Sequence, residues 1–364
     1  MYSFEPTEEQ KMLIDTVARF ARSNLRPASH DADEEGQVPL NLIKKGWELG
    51  VLQASIPESY GGFGEHSSIS GVLAAEEMAW GDLAGTLAVM APGLFAIPVL
   101  LAGSEEQKNE YLPPIIEGDW SPYSAAIIEQ HYDYDPNELN TTATYGGDTI
   151  LISGEKSYVP FANEAKTMLV FASLNGQTQG FIVPGNLAGI QIGERQKLLG
   201  INAFPVFKVK FNEVSIPSTN RLGGVNGHDF SPILASYWLA TTAIALGVSK
   251  AALEYAVDYA KDREVFGMKV AQKQAIAFML AEMATEIEAI RVLAWEAAWM
   301  LDTGKEDAYK EAYLAHTGAA DMAMMVTDRA VQILGGHGYI REHPVEKWMR
   351  EARSFAMLSG LAII

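Results

Sequence analysis

Cysteine is absent from all 364 residues. That excludes disulfides, a thiolate nucleophile and cysteine-built zinc or iron–sulfur centres. Positive charge is scarce: 27 Lys and Arg stand against 46 Asp and Glu, a formal net charge of −19. A surface of that sign repels phosphate backbones and anionic lipid, which argues against nucleic acid or a membrane surface as partner. The N-terminal stretch MYSFEPTEEQKMLIDTV lacks the basic-then-apolar profile of a signal peptide, so a cytoplasmic location is expected. One uncharged run, Leu83 to Ala102, is long enough to span a bilayer. Pro92-Gly93 and Pro98 break it, so two short buried helices are expected instead.

Several catalytic signatures are missing too. There is no phosphate loop ending in Lys-Ser or Lys-Thr, no His-Glu-x-x-His helix and no nucleophile elbow. The histidines are scattered. The closest pair, His337 and His343, does not share a helix face, so no metal site is expected.

What is present falls into three parts, an α+β, mainly helical arrangement. Residues 1–118 read as a helical domain, opened by a Thr7/Gln10 capping-box pattern ahead of Leu13, Val17, Phe20 and Ala21 at helical spacing. Residues 119–225 are short β-branched runs between turns. Phe207, Val209 and Phe211 alternate with Lys208 and Lys210, and SLNGQ is a hairpin signal, so an antiparallel β domain is expected. Residues 226–364 return to long helices. Val248, Ala252, Tyr255 and Tyr259 form one stripe, and Ile276, Leu280, Met283, Ile287, Ile290, Ala294 and Ala297 another, which implies a four-helix bundle. Near its end, AVQILGGHGYIREHP sets Gly335, Gly336 and Gly338 straight after a helical run. Either the helix simply stops there, or bare backbone must lie close to a ligand. A dinucleotide phosphate loop is ruled out, because that loop follows a strand.

Three ordered motifs carry a family resemblance. DREVFGMKVAQKQAIAFMLAEM (262–283) resembles the Arg-x-x-Phe-Gly…Gln segment of the acyl-CoA dehydrogenases. AVQILGGHGYIREHPVEKWMREAR (330–353) resembles their Gln-x-x-Gly-Gly-x-Gly-Tyr segment and the Arg-Asp-Ala-Arg helix after it, and IPESYGGFG (56–64) their first-domain loop. ISGEKSYV (152–159) falls where their Asn-Gly-x-Lys-x-Trp-Ile segment sits. The resemblance implies a tetramer with FAD shared between protomers: the flavin ring on one subunit's β domain, the pyrophosphate and adenosine on the neighbour's bundle. It assigns cofactor contacts to Arg263, Phe266, Gly267, Gln274, Gln332, Gly335 and Gly336. It also implies an acyl-CoA substrate, with fatty, steroid side-chain or alicyclic acids as the class. An electron-transfer flavoprotein or similar acceptor would reoxidise the flavin.

The departures from the family pattern are concentrated. The catalytic Glu of the Tyr-Glu-Gly-Thr segment is Ser359, and a serine hydroxyl at neutral pH cannot take an α-proton unaided. Its neighbouring Thr is Leu361, and the alternative base position matches Tyr237. In IEQHYDYDP (128–136), Ile128 replaces a flavin-bonding Thr, while Asp133 and Asp135 bring negative charge where a pyrophosphate would sit. Pro160 has lost a hydroxyl, Tyr158 keeps an aromatic face, and Trp238 stands where an Arg is common. These features lead to the expectation of a non-catalytic partner in an α2β2 heterotetramer, lending its half-site to a catalytic acyl-CoA dehydrogenase subunit. Three alternatives remain. One is a homotetramer with a relocated base, whose candidates Glu129, Asp133, Asp135 and Glu342 read as solvated surface carboxylates. The others are a same-fold flavin monooxygenase and a non-enzymatic binding or structural protein.

Overall fold

The computed structural model describes residues 5–364; the first four residues of the N-terminal stretch lie outside the described residues. Helix α1 (Glu8–Phe20) starts on the expected capping box, with Gln10 N–H donating to Thr7 Oγ1 at 3.2 Å and Thr7 N–H to Gln10 Oε1 at 2.9 Å. The ladder widens to a π turn over Ala21–Leu25 just ahead of Pro27, which has no N–H to continue it, and resumes as α2 (Arg26–Glu35). Then come α3 (Leu40–Trp47), α4 (Val51–Ala54), α5 (Ser68–Gly81), α6 (Leu83–Met90), α7 (Gly93–Ala102) and α8 (Glu105–Ile116). The uncharged run is α6 and α7, bent by 49° at Ala91-Pro92 and buried against the rest of the domain.

Seven strands follow: β1 (Ser124–Ala126), β2 (Thr142–Gly146), β3 (Thr149–Pro160), β4 (Thr167–Leu174), β5 (Gln177–Pro184), β6 (Ile190–Arg195) and β7 (Val206–Pro217). The order β1-β4-β2-β3-β7-β6, with β5 on β4, is antiparallel except where β4 meets β1 and β2. The SLNGQ hairpin joins β4 to β5, and Asn175 (φ 54) and Gly176 (φ 79) both take the positive φ that a two-residue turn requires. A register shift between Lys156 and Val159 bulges β3 against β7 and leaves Tyr158 at φ 56, a strained conformation for an aromatic residue.

The bundle comprises α9 (Ser231–Asp262), α10 (Gln274–Asp302), α11 (Ala308–Leu334) and the short α12 (Val345–Ala352), with a two-stranded hairpin, β8 (Glu264–Val265) and β9 (Met268–Lys269), between α9 and α10. Both stripes face inward: Val248, Ala252, Met283, Ile287, Ile290, Ala294 and Ala297 are buried. Helix α9 is long and apolar enough to cross a bilayer, yet 89% of its most apolar window is buried within the fold. Two anchors join the bundle to the first domain. The Asp302 carboxylate accepts from Ser68 N–H at 2.6 Å and Ser67 Oγ at 2.9 Å, capping α5. Buried Lys347 on α12 sits 2.6 Å from both Asp82 and Glu351.

Candidate functional site

Two regions hold the residues singled out above. The first is one end of the bundle. Arg263 follows α9 directly, and its exposed guanidinium holds no ion pair among the described residues. Phe266 (φ 56) and Gly267 (φ 74) form the two-residue turn of the β8–β9 hairpin, with Phe266 95% exposed at its tip. Tyr259, one turn before Arg263, reaches Leu334 O at 3.4 Å and His337 Nδ1 at 3.0 Å. Tyr255 bonds His343 Nδ1 at 2.7 Å, and the two imidazoles stack at 5.2 Å, so the end of α9 is fastened to the loop after α11. The Glu282–Arg329 ion pair sets α10 antiparallel to α11, which brings the start of α10, with exposed Gln274, alongside the end of α11, with exposed Gln332. Gln332, Gly335, Gly338, Tyr339, Glu346 and Arg350 line a cleft of about 300 Å³ there.

The three glycines differ. Gly335 (φ 59) caps α11 in a conformation L side chains rarely adopt, so its helix-stop role is real. At Gly338 an added Cβ would lie 2.5 Å from Val331 O, so close packing requires it. An added Cβ at Gly336 would meet nothing within 4 Å, and its φ is not positive. Among the described residues nothing calls for glycine at 336.

The second region is a cleft of about 800 Å³ between the β domain and the bundle. Tyr134, Asp135, Pro136 and Asn137 line one side; Trp238, Tyr309, Tyr313, His316, Asp321 and Ser359 line the other. The Trp238 ring lies 4.8 Å from Tyr309 and 4.9 Å from Tyr313, and stacks on His316 at 6.2 Å. Burial lowers the His316 pKa to about 4, so the imidazole is neutral at pH 7. Tyr237 is fully buried, and its hydroxyl has no hydrogen-bond partner among the described residues. Tyr309, Tyr313 and His316 had not been singled out from the sequence. Their spacing of four and then three along the start of α11 is the signal that marks a shared face.

Of the base candidates, Asp135 lines this cleft and the other three do not. Glu129 is a correction to the surface expectation, because it is only 4% exposed. Its carboxylate accepts from Lys156 Nζ at 2.8 Å, Thr141 N–H at 2.8 Å and Asn140 N–H at 2.7 Å. Burial pushes its pKa up, but the Lys156 ammonium and these bonds outweigh it and bring it down to about 2. A carboxylate so fully paired is a structural brace. Exposed Asp133 pairs with His131 at 3.0 Å, and Asp135 is held by Asn137 N–H at 2.8 Å. Glu342 is exposed in the loop after α11, in the first region. Ile128 and Pro160 are buried, and Tyr158 is half-buried.

Known families match along the chain in order: acyl-CoA dehydrogenase N-terminal domain over residues 7–119, middle domain over 124–214 and C-terminal domain over 237–362. The chain belongs to the acyl-CoA dehydrogenase family. An acyl-CoA dehydrogenase of Bacillus subtilis (strain 168) is 35% identical over 97% of this chain and 95% of its own length. The mitochondrial short-chain specific acyl-CoA dehydrogenase of Sus scrofa is 34% identical over 100% of this chain and 89% of its own. The solved butyryl-CoA dehydrogenase of Megasphaera elsdenii superposes with TM-score 0.89 at 31% identity, covering 98% of this chain and 95% of that one. The motif resemblance and the helical–β–helical fold are thereby borne out, and the chain is an acyl-CoA dehydrogenase family flavoprotein.

Within this acyl-CoA dehydrogenase fold, the two regions lie toward opposite ends of α11, the cleft lined from Tyr309 to Asp321 and the bundle end from Asp328 to Gly335. From Asp321 to Asp328 the helix axis advances about 10 Å at 1.5 Å per residue. The bundle end offers a cation with no ion pair among the described residues, two exposed amides and open backbone. The cleft offers aromatic rings, a neutral imidazole and Ser359.

Proposed function

We propose that this chain is the non-catalytic subunit of a heteromeric acyl-CoA dehydrogenase, lending its bundle end to FAD seated on a partner chain that carries the catalytic carboxylate. The observation that carries this reading is the contrast between the ends of α11. At the bundle end, the Arg263 guanidinium is free to pair with a diphosphate by charge-assisted hydrogen bonds. Gln274 and Gln332 present amide donors and acceptors, and Gly336 leaves backbone that a cofactor can approach without meeting a side chain. These residues fit the diphosphate half of a dinucleotide.

The cleft fits neither flavin nor its reaction. Asp133 and Asp135 are carboxylates beside the loop where a diphosphate would lie, and Lys156 is already committed to Glu129. Ile128 offers no hydrogen bond to a flavin ring, and Ser359 cannot abstract a proton α to a thioester. FAD, where bound, supplies the hydride acceptor for α,β-desaturation of a CoA thioester. This chain's part is to hold the distal end of that cofactor and to complete the subunit interface. The outward face of α10, where Phe278 is 60% exposed and Val292 and Leu293 are also exposed, provides apolar surface for a second subunit.

The test is cofactor stoichiometry. The chain purified alone should show no flavin absorption. Co-expressed with a family member that carries the glutamate, it should copurify with one FAD per two chains and turn over an acyl-CoA. Full FAD occupancy and turnover by the chain alone would overturn the proposal.

A further inference from the structure

Four rings clamp together the two pieces of chain that carry the bundle-end residues. Tyr255 and Tyr259, four residues apart on α9, point their hydroxyls the same way. Tyr255 Oη lies 2.7 Å from His343 Nδ1, and Tyr259 Oη lies 3.0 Å from His337 Nδ1. With each tyrosine O–H donating, Nδ1 accepts and Nε2 carries the proton of the neutral ring. The imidazoles stack at 5.2 Å with 11° between their planes, and each tyrosine meets its histidine edge-on. Among the described residues, these two contacts are the hydrogen bonds that tie loop 335–344 to α9. The clamp sits between the parts of the half-site. Arg263 follows Tyr259 by one turn, and His337 stands between Gly336 and Gly338, five residues past Gln332.

We infer that Tyr255, Tyr259, His337 and His343 are positioning residues of this half-site: they set the spacing of Arg263 from the Gln332–Gly336 backbone, and do so only while both imidazoles are neutral. The inference rests on the reading of the bundle end as the seat of a diphosphate. A protonated Nδ1 can no longer accept from the hydroxyl, and two imidazolium rings 5.2 Å apart repel. Burial and the neighbouring His337 hold the His343 pKa below the usual histidine value, and Glu342 offsets them only in part. Charged side chains on the adjoining elements are committed elsewhere. Lys347 of α12 pairs with Asp82 and Glu351, Glu346 with Arg350, and Arg341 of the loop with Glu34 of α2. On α9, Glu254 accepts from Trp80 Nε1, and Asp258 is exposed. Because the fold favours the neutral His343 ring, the clamp is complete above the usual histidine range and fades as pH falls below it.

Amide hydrogen exchange of residues 335–344 in the full chain alone is the first test. Tyr255→Phe/Tyr259→Phe keeps all four rings and removes both hydroxyls, so exchange should speed roughly 5- to 150-fold. In the unaltered chain, exchange corrected for its intrinsic pH dependence should also speed between about pH 7.5 and about pH 5. His337→Asn/His343→Asn places an amide oxygen near each Nδ1 position and does not titrate, so its loop should stay protected at both pH values. Exchange unchanged by the tyrosine double variant, or equally pH-sensitive in the asparagine variant, overturns the inference. The second test is FAD titration of the flavin-stripped two-chain complex. The tyrosine variant should weaken binding at neutral pH, and the asparagine variant should bind better than the unaltered complex in acid. An unchanged Kd in the tyrosine variant, with Arg263→Ala weakened, overturns the positioning role and leaves the subunit reading standing. A complex that takes up no FAD in any form overturns both, while loop exchange in the lone chain still judges the clamp.

Discussion

Replacing Arg263 with alanine in the two-chain complex isolates what the bundle end contributes to cofactor binding. Its backbone N–H donates to Tyr259 O at 2.8 Å and its carbonyl accepts from Val270 N–H at 2.9 Å, and both bonds survive the substitution. The side chain is exposed and holds no ion pair among the described residues, so the variant should stay within about 0.5 kcal/mol of the parent in stability. Loss of charge-assisted hydrogen bonds to a diphosphate costs about 1.5–3 kcal/mol. That weakens FAD binding roughly 10- to 150-fold. The assay is a fluorescence titration of the flavin-stripped complex, run beside Arg19→Ala as an exposed-arginine control on α1. Arg263→Lys keeps the charge but loses the planar fork, and should fall between. An unchanged Kd for Arg263→Ala, or equal weakening by the Arg19 variant, refutes the assignment.

Gly336→Ala and Gly338→Ala should separate cofactor approach from packing. The first should leave Tm unchanged and weaken FAD retention in the complex, because its Cβ meets nothing within 4 Å. The second should cost about 1–3 kcal/mol of stability through the 2.5 Å clash with Val331 O, read as a lowered Tm. Glu129 is held ionised in the fold, its pKa depressed from 4.5 to about 2. Its contribution, about 3 kcal/mol, is complete above pH 4.5 and is lost as pH falls toward 2. Thermal melts of Glu129→Gln should therefore lie below the parent at neutral pH and converge on it in acid; a pH-independent gap would contradict this. Ser359→Glu should give the lone chain neither bound flavin nor enoyl-CoA product, because Ile128, Asp133 and Asp135 still oppose the cofactor. Turnover by that variant would show that only the base was missing.

Local pattern carried much of the fold. Thr7 and Gln10 announce a helix start because both partners of the capping box lie within one turn, and Asn175-Gly176 announces a hairpin because the backbone demands positive φ there. The order of helical and β segments followed from periodicity for the same reason. What escaped depends on partners distant in sequence. Glu129 read as a surface carboxylate because Lys156, which buries with it, is 27 residues away. The parallel pairing of β1 with β4 joins Ser124 to Met168, a register that no local pattern encodes. Likewise the burial of Leu361, Ala362, Ile363 and Ile364 depends on Gly71 and Ser236, both distant in sequence. At the bundle end, motif spacing located the residues, but only the geometry separated Gly336 from Gly335 and Gly338.

The two regions share helix α11: the lining of the cleft ends at Asp321 and that of the bundle end begins at Asp328, about 10 Å further along the axis at 1.5 Å per residue. At the bundle end, Arg263, Phe266, Gln274 and Gln332 are exposed, whereas Gly335 and Gly338 also serve the fold. At the cleft, Trp238 packs against Tyr309, Tyr313 and His316, with Tyr313 still 48% exposed. On the subunit reading, the cleft lacks the base that Ser359 replaces, while the bundle end presents open backbone at Gly336 and an Arg263 guanidinium with no ion pair among the described residues.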